Sequence, residues 1–173
     1  MLSRSRGRVL ITTVLLAVAL TSCTEPRPSS VRFGYRSDDR GNVVIAYPLC
    51  PAHTVSGAEV TVRVQRGSTS SFKKLWGAMG AASNEVKRGV FTVGTPGSFR
   101  QEGKPLAEAL PSGFYVRVKE STRDGESNSG REDWIDLSVQ PSRALKPGEY
   151  LTSVGKIVSR QWVNDQLTCG KGS

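Results

Sequence analysis

Short stretches in which apolar and polar residues alternate restrict the fold of this sequence more than any other feature. Val60 and Val62 alternate with polar residues over 59–65, and the same alternation recurs over 114–119 and 134–139. A period of two places successive side chains on opposite faces of an extended chain, which is typical of a strand with one buried face. Each stretch is therefore predicted to form a half-buried strand.

The rest of the sequence predicts more strands and no long helix. Residues 43–47 form a continuous apolar run, which indicates a more buried strand. Glycine- and proline-containing turns separate the segments, and the strand–helix–strand rhythm of a parallel α/β protein is missing from the pattern. The sequence therefore predicts an all-β, antiparallel β-sandwich of about eight or nine strands. The further strand candidates are residues 31–36, 90–93, 150–154 and 157–163.

Two turn segments carry a resemblance to a known fold. Leu110–Tyr115 and Leu145–Tyr150 share the pattern Leu-x-x-Gly-x-Tyr. They resemble turns that lead into strands of immunoglobulin-like sandwiches, in which a tyrosine hydroxyl bonds back to a nearby backbone group. The resemblance implies an immunoglobulin-like sandwich, and it gives this hydroxyl role to Tyr115 and Tyr150.

One segment, residues 72–82, fits two kinds of structure. Phe72, Leu75, Trp76 and Met79 have the spacing of a helical face. The glycines within the segment oppose a helix, because each costs about 1 kcal/mol relative to alanine. We therefore predict a strand that runs into a loop of small residues at 80–84.

The N-terminal region carries the pattern of an export signal. Three arginines and no acidic residue precede the apolar run Val9–Leu20, which is shorter than the roughly 20 residues that a membrane-spanning helix needs. Leu20-Thr21-Ser22-Cys23 ends this region and resembles the lipid-attachment signal of bacterial lipoproteins. The resemblance implies that Cys23 receives a diacylglyceryl group and becomes the first residue of the mature chain. The alternative is an ordinary secretory signal cleaved nearby, which would leave Cys23 as a free thiol.

These features divide the chain into three predicted parts. They are a signal peptide at 1–22, a lipidated N-terminus with a flexible tether at 23–30, and a sandwich domain at 31–173. The tether contains prolines and serines and no apolar side chain that can pack. The mature protein is expected on the extracytoplasmic face of the cell membrane, held there by its lipid. Residues 41–51 and 91–99 also resemble segments of small exported proteins of Gram-positive bacteria, a resemblance that implies no activity.

The charge of the chain limits its partners. The formal net charge is +9, and the three arginines of the signal peptide leave the mature chain at about +6. This charge favours anionic surfaces such as membrane phospholipid or anionic wall polymers. The basic residues are scattered and accompany no nucleic-acid motif, so no nucleic-acid partner is predicted. Another envelope protein is the second kind of partner that we consider.

Cys50 and Cys169 remain if Cys23 is lipidated. An even number of cysteines in an exported domain predicts a disulfide, which here would tie the end of the chain to an early strand. The alternative is a pair of free thiols that serve as redox groups or metal ligands, although the sequence contains no Cys-x-x-Cys pattern.

The sequence offers little for catalysis or cofactor binding. His53 is the single histidine, and no Gly-x-Ser-x-Gly motif supplies a serine nucleophile for it. Cys50 and His53 lack the further ligands that a zinc site needs. We therefore predict His53 in a loop after the cysteine, with no catalytic residue, no cofactor and no metal.

The acidic loop at 123–133 is the best metal candidate. Asp124, Glu126 and Asn128 occupy alternate positions, as the oxygen ligands of calcium loops do. The glycine comes late in the loop, and Ile135 stands where the last glutamate of a calcium loop belongs. A solvated hairpin loop is therefore favoured over a calcium site.

These observations favour a non-catalytic binding or structural module of the cell envelope. The alternative is a cell-wall hydrolase that uses carboxylates, with Glu132, Asp133 and Asp136 as its candidates. Trp134 alternates with apolar neighbours and is predicted to face outward, where an indole ring can stack on a carbohydrate. Aromatic residues of a sandwich more often belong to the core, and this is the interpretation favoured for Tyr47, Trp76, Tyr115, Tyr150 and Trp162.

Overall fold

The computed structural model describes residues 31–122, 125, 127–128 and 130–169, with the backbone alone at 127 and 128. Within this part of the chain, eleven strands and two short helices follow one another. The strands are β1 (Gly34–Ser37), β2 (Val43–Ala46), β3 (His53–Arg66), β4 (Thr69–Ala81), β5 (Val90–Thr92), β6 (Phe99–Lys104), β7 (Gly113–Thr122), β8 (Ser127–Asn128), β9 (Glu132–Asp136), β10 (Glu149–Leu151) and β11 (Ile157–Ser159). The helices are α1 (Asn84–Lys87) and α2 (Arg160–Asp165).

The strands form two antiparallel sheets that pack face to face. The five-stranded sheet has the order β11-β10-β1-β2-β5, and the six-stranded sheet has the order β6-β4-β3-β7-β8, with β9 also paired to β7. The prediction of an all-β, antiparallel β-sandwich is confirmed. The strands exceed the predicted eight or nine because β6 and β8 lie where the sequence shows no apolar alternation.

The order of the strands is that of an immunoglobulin-like sandwich with additions. Strands β1, β2 and β5 adjoin in one sheet, while β3, β7 and β9 adjoin in the other. The A, B and E strands and the C, F and G strands of an immunoglobulin domain are grouped in the same way. Strands β10 and β11 extend the first sheet beyond β1, and helix α2 follows them.

Within the described structure, neither Tyr115 nor Tyr150 makes the hydroxyl bond to a nearby backbone group that the turn resemblance implies. Among the described residues, the hydroxyls of Tyr115 and Tyr150 find no hydrogen-bond partner, and the ring of Tyr150 lies beneath the guanidinium of Arg36 at 5.8 Å. The hydroxyl of Tyr35 instead donates to the backbone carbonyl of Asp136 at 2.5 Å. This bond links β1 of one sheet to the end of β9 in the other.

Apolar side chains from both sheets meet in one core. The alternation over β3, β7 and β9 directs one face of the six-stranded sheet inward, as predicted, and the buried run of β2 covers it from the other sheet. Burial of each large apolar side chain stabilises the fold by roughly 1.5–3 kcal/mol. The largest fully buried side chains of the core are Phe33, Ile45, Tyr47, Trp76, Phe114 and Ile135.

The predicted disulfide is confirmed. Cys50 and Cys169 are bonded, with their Cα atoms 5.5 Å apart and a sequence separation of 119. The bond joins the segment between β2 and β3 to the chain just after α2. It therefore holds the last described segment of the chain against an early part of the sandwich.

The segment at 72–82 is a strand, as predicted, and a β-bulge explains its ambiguous pattern. Val60 lies opposite Trp76, whereas the next residue of β3, Thr61, lies opposite Lys74. Leu75 is the extra residue of the bulge, so two apolar residues stand side by side in an otherwise alternating strand. The small-residue loop expected at 80–84 is shorter than predicted, because β4 runs to Ala81 and α1 begins at Asn84.

The strand predicted at 157–163 is wrong in its second half. Strand β11 ends at Ser159, whose hydroxyl accepts a hydrogen bond from the backbone nitrogen of Trp162 at 3.1 Å and caps α2. Capping of this kind satisfies an otherwise unpaired N–H at the start of a helix. Val163 of α2 is fully buried. A Cβ atom on Gly34 of β1 would lie 2.7 Å from Cβ of Tyr150 and 3.2 Å from Cγ2 of Val163, so this glycine lets both side chains pack closely on β1.

Two hydrogen bonds fasten the chain after α2 to the start of the sandwich. The side-chain amide of Gln166 accepts from the backbone nitrogen of Arg32 at 2.8 Å and donates to the backbone carbonyl of the same residue at 2.8 Å. The first and last described segments therefore lie side by side.

The described helices are too short to cross a membrane.

Candidate functional site

Three aromatic side chains form a continuous strip on the outer face of the six-stranded sheet. Phe72 on β4, Tyr115 on β7 and Trp134 on β9 contact one another edge to face. The ring centroids are 5.5 Å apart for Phe72 and Tyr115 and 4.8 Å apart for Tyr115 and Trp134. We call these three residues the aromatic strip. Phe72 is 59% exposed and Trp134 is 37% exposed, so Trp134 faces outward as the alternation predicts.

Strand pairing explains why these three rings meet. Tyr115 lies directly opposite Trp134 on β9 and opposite Thr61 on β3. Phe72 lies opposite Arg63, which is two residues beyond Thr61 and therefore on the same face. Phe72 and Tyr115 therefore lie on the same face on either side of β3, and their rings meet over that strand.

Gly113 leaves the space that the indole ring of Trp134 occupies. A Cβ atom on Gly113 would lie 2.2 Å from Cζ2 and 2.5 Å from Cη2 of Trp134. Such distances are far below any van der Waals contact, so the ring can lie over the backbone of β7 only because residue 113 has no side chain. Packing against Gly113 and Tyr115 therefore holds the indole ring of Trp134 in this orientation, although the ring is partly exposed.

Charged side chains surround the aromatic strip. Glu59 contacts Nζ of Lys74 at 2.7 Å and Nη1 of Arg117 at 3.4 Å. Arg117 also contacts Glu132 at 2.9 Å, so both glutamates are paired with cations. These exposed ion pairs contribute little to stability. The face carries more basic than acidic side chains, so its net charge is positive. The basic residues of the face are Arg63, Lys74, Arg117 and Lys119.

The three carboxylates considered for hydrolysis do not share one face of β9. Glu132 lies on the outer face and binds Arg117, whereas Asp133 points inward and is buried. Asp133 accepts hydrogen bonds from the backbone nitrogens of Phe33 at 2.8 Å and Trp134 at 2.9 Å. Burial raises the pKa of Asp133, and the two N–H donors oppose this rise.

Asp136, the third of these carboxylates, closes a turn. It accepts from the hydroxyl of Ser138 at 2.6 Å and from the backbone nitrogen of the same residue at 2.9 Å. These bonds lower the pKa of Asp136. Each of the three carboxylates therefore has its own structural partners, and the described geometry does not present two of them together as an acid and a base.

A second constellation lies inside the sandwich near the disulfide. Glu120 points inward from β7, is almost fully buried, and accepts hydrogen bonds from the hydroxyl of Tyr47 and from Nη1 of Arg131, the latter at 2.7 Å. Its other oxygen lies 2.6 Å from Nδ1 of His53. We call Tyr47, His53, Glu120 and Arg131 the buried charge cluster. A buried carboxylate needs such partners, because an unpaired charge in the interior is costly.

The buried charge cluster changes the interpretation of His53. The sequence predicted a loop histidine, whereas His53 begins β3 and its backbone nitrogen bonds to the carbonyl of Cys50 at 2.9 Å. Because a carboxylate oxygen only accepts, Nδ1 of His53 is the donor in this contact. Burial and the nearby carboxylate of Glu120 raise the pKa of Tyr47, which keeps its hydroxyl protonated as a donor.

Sequence reasoning identified one member of the aromatic strip and missed two. Tyr115 shares a strand face with Arg117 in the alternation over 114–119, and this pattern could have placed it outside. Phe72 carries no such signal, because the bulge beside it hides the alternation of β4. Glu120 and Arg131 also escaped notice, because each lies far along the chain from the histidine.

Several predicted sites concern residues whose structure is not described. Cys23 lies outside the described residues, as do Asp124 and Glu126 of the acidic loop, and the side chain of Asn128 is not described. The preference for a solvated hairpin loop over a calcium site is therefore untested. Within the described ranges, no three histidine, cysteine or acidic side chains cluster as a metal site requires.

Comparison of this chain with models of protein families, with curated proteins and with solved structures finds no match. The residues of the site are therefore interpreted from their geometry and chemistry alone.

Proposed function

We propose that this chain is a lipid-anchored, non-catalytic binding module of the cell envelope, and that the aromatic strip holds an anionic, sugar-containing polymer. The observation that carries this proposal is the exposure of Phe72 and Trp134 in the middle of a cation-rich sheet face. Exposed large apolar side chains that lie together mark interaction surfaces more often than isolated ones do.

The chemistry of the face suits a polymer of sugars and acidic groups. The face of an aromatic ring carries partial negative charge, which attracts the C–H groups on the apolar side of a sugar ring. Phosphate or carboxylate groups along the same polymer can bind the surrounding cations by charge-assisted hydrogen bonds. Lys119 is available for such contacts because the described residues give it no acidic partner, whereas Lys74 and Arg117 can exchange their glutamates for the ligand.

The proposed anchor would keep this face near its ligand. A lipid on Cys23 would leave residues 23–30 as the link to the domain, and eight residues reach at most about 28 Å when extended. The domain would then remain close to the outer surface of the membrane. The mature charge of about +6 would also attract it to anionic polymers in that space.

The anchor is tested by intact mass measurement of the protein extracted from membranes. A chain that begins at Cys23 and carries a diacylglyceryl group is the expected result, together with loss of membrane association in a Cys23→Ala variant. An unlipidated chain released into the medium would refute the anchor and leave the binding proposal to be judged alone.

The binding surface is tested with dextran sulfate and neutral dextran as probes, in affinity electrophoresis. The mature chain with Cys23→Ser is suited to this, because it carries no lipid and needs no detergent. Dextran sulfate should retard the protein strongly, and added salt should weaken the effect. Trp134→Ala and Phe72→Ala should each weaken binding about three- to tenfold, in line with about 0.5–1.5 kcal/mol for an aromatic contact.

Trp162→Ala is the matched control. This half-buried indole lies outside the aromatic strip, beneath Nζ of Lys156 at 4.4 Å. Its removal should leave binding unchanged. If all three variants bind dextran sulfate as the parent chain does, net charge alone explains the retardation, and the aromatic strip is not the binding surface.

A further inference from the structure

A groove opens on the inner side of the β3–β4 hairpin, on the opposite face from the aromatic strip. One wall is the hairpin beyond the sandwich core, and the other is the segment 104–111 that follows β6. The groove has a volume of about 280 Å³, close to the lower end of the roughly 300–1,000 Å³ that is usual for small-ligand sites. Its apolar lining includes Val62, Val64, Leu75, Leu106, Ala109 and Pro111.

Lys73 of β4 lies on the apolar face of the β3–β4 hairpin, where that face lines the groove. In the part of the hairpin that packs into the sandwich core, Val60 and Trp76 lie opposite each other and are both fully buried. One step farther along the same face, Val62 lies opposite Lys73, which lines the groove. The apolar alternation of β3 continues through Val64, so the cation interrupts an apolar surface on the neighbouring strand.

Lys73 has no acidic partner among the described residues. Lys104 also lines the groove, but its ammonium group donates to the backbone carbonyl of Lys74 at 2.5 Å. Glu108 is the one acidic residue of the lining, and the described ion pairs do not include it. The groove therefore combines an apolar floor with an excess of positive charge at its edge.

We propose that this groove binds a free fatty acid of medium chain length. The alkyl chain would lie among Val62, Val64 and Leu106, and the carboxylate would pair with the ammonium group of Lys73. The small volume favours a single short chain over a two-chain lipid, and the positive edge favours an anionic head over a neutral or cationic one. This site is separate from the aromatic strip, because residues 72 and 73 point to opposite faces of β4.

Titration calorimetry with decanoate, below its micelle concentration, tests this inference on the mature chain with Cys23→Ser. Decanol and decyltrimethylammonium provide the same alkyl length with a neutral and a cationic head. Decanoate should bind at least tenfold more tightly than either. Lys73→Gln should weaken decanoate binding about tenfold, which corresponds to the loss of one hydrogen bond to a charged group, and should leave decanol binding unchanged.

Two further variants sharpen the test. Ala109→Phe places a ring in the groove from an exposed position and should abolish binding of all three probes, whereas Trp134→Ala should alter none of them. Lys87→Gln, at the end of α1 and away from the groove, is the matched charge control. Equal affinity for decanoate and decyltrimethylammonium, or a Lys73→Gln variant that binds decanoate as the parent chain does, would overturn the proposal.

Discussion

Nδ1 of His53 lies 2.6 Å from Oε2 of Glu120, across two neighbouring strands and 67 positions of sequence. The contact joins the first residue of β3 to a residue near the end of β7, close to the disulfide at Cys50. The carboxylate is buried, and it also accepts hydrogen bonds from the guanidinium of Arg131 and the hydroxyl of Tyr47.

Glu120→Gln should destabilise the fold by about 2–3 kcal/mol, because it removes the negative charge that the buried charge cluster is built around. The shape of the side chain is kept, so the loss reports charge and hydrogen bonding and not packing, since the new amide nitrogen cannot accept from the donors around it. Urea unfolding measures it. Glu108→Gln, at an exposed position outside the cluster, should change stability by less than about 0.5 kcal/mol. Equal stability of the two variants would contradict the role assigned to the cluster.

The stability of the protein should fall as the pH rises from about 10 to about 12. Burial raises the pKa of Tyr35 to about 12, with a smaller contribution from the carboxylate of Asp136. The unfolded chain releases this proton near pH 10, so between these values the folded state holds more protons. The contribution of Tyr35 is therefore complete below pH 10 and is lost as the pH rises through about 12.

Tyr35→Phe tests this alkaline effect. At pH 8 the variant should be about 1 kcal/mol less stable than the parent chain, because the bond to the carbonyl of Asp136 is lost. Its stability should then decline less steeply between pH 10 and pH 12, and the two curves should converge. Urea unfolding at several pH values gives both curves, and parallel curves would show that Tyr35 does not contribute to the decline.

Removal of the disulfide should lower the free energy of unfolding by about 2–5 kcal/mol. The bond closes a long loop, since Cys50 and Cys169 are 119 positions apart, and the chain-entropy model assigns about 4–5 kcal/mol to a loop of this length. Unfolding of the parent chain with and without reductant measures the effect, and a mass gain of two hydrogen atoms checks that reduction is complete. A Cys50→Ala, Cys169→Ala variant should have the same free energy of unfolding as the reduced parent chain, and adding reductant should not change it.

Gly113→Ala should displace the indole ring of Trp134, because the new methyl group would lie 2.2 Å from Cζ2. We expect a change in tryptophan fluorescence and a loss of dextran sulfate affinity similar to that of Trp134→Ala. Gly103→Ala is the control, since a Cβ atom there meets only a backbone oxygen at 3.6 Å, an ordinary contact. A Gly113→Ala variant with unchanged fluorescence would show that the ring is not held over residue 113.

Much of the sandwich could be predicted because one face of each long strand is buried. The buried members of β3, β7 and β9 include Val60, Val116 and Ile135, and they follow the period of two that burial on one face imposes. Strand β6 could not be predicted in this way. It lies at the edge of its sheet, and Phe99 is its one buried residue, so its sequence carries almost no periodic signal.

Prediction was incomplete where a local pattern fits two structures or where a contact joins residues far apart in the sequence. The apolar residues at 157–163 look like a strand, but Ser159 caps a helix whose buried residue, Val163, is also an apolar residue at strand spacing. The role of His53 depends on Glu120, and no local pattern reports a contact across 67 positions. The aromatic strip likewise depends on strand register, which brings Phe72 and Tyr115 together from strands that are not adjacent.

The pairing of Gln166 with the backbone of Arg32 has a mechanical consequence. The guanidinium of Arg32 also bonds to Ser153 at 3.2 Å and contacts Asp133 at 3.7 Å. A force applied through the chain before Val31 therefore reaches the segment after α2, the turn between β10 and β11, and β9 at the same point. Because the disulfide couples the segment after α2 to the chain just before β3, such a load would reach both sheets and not β1 alone.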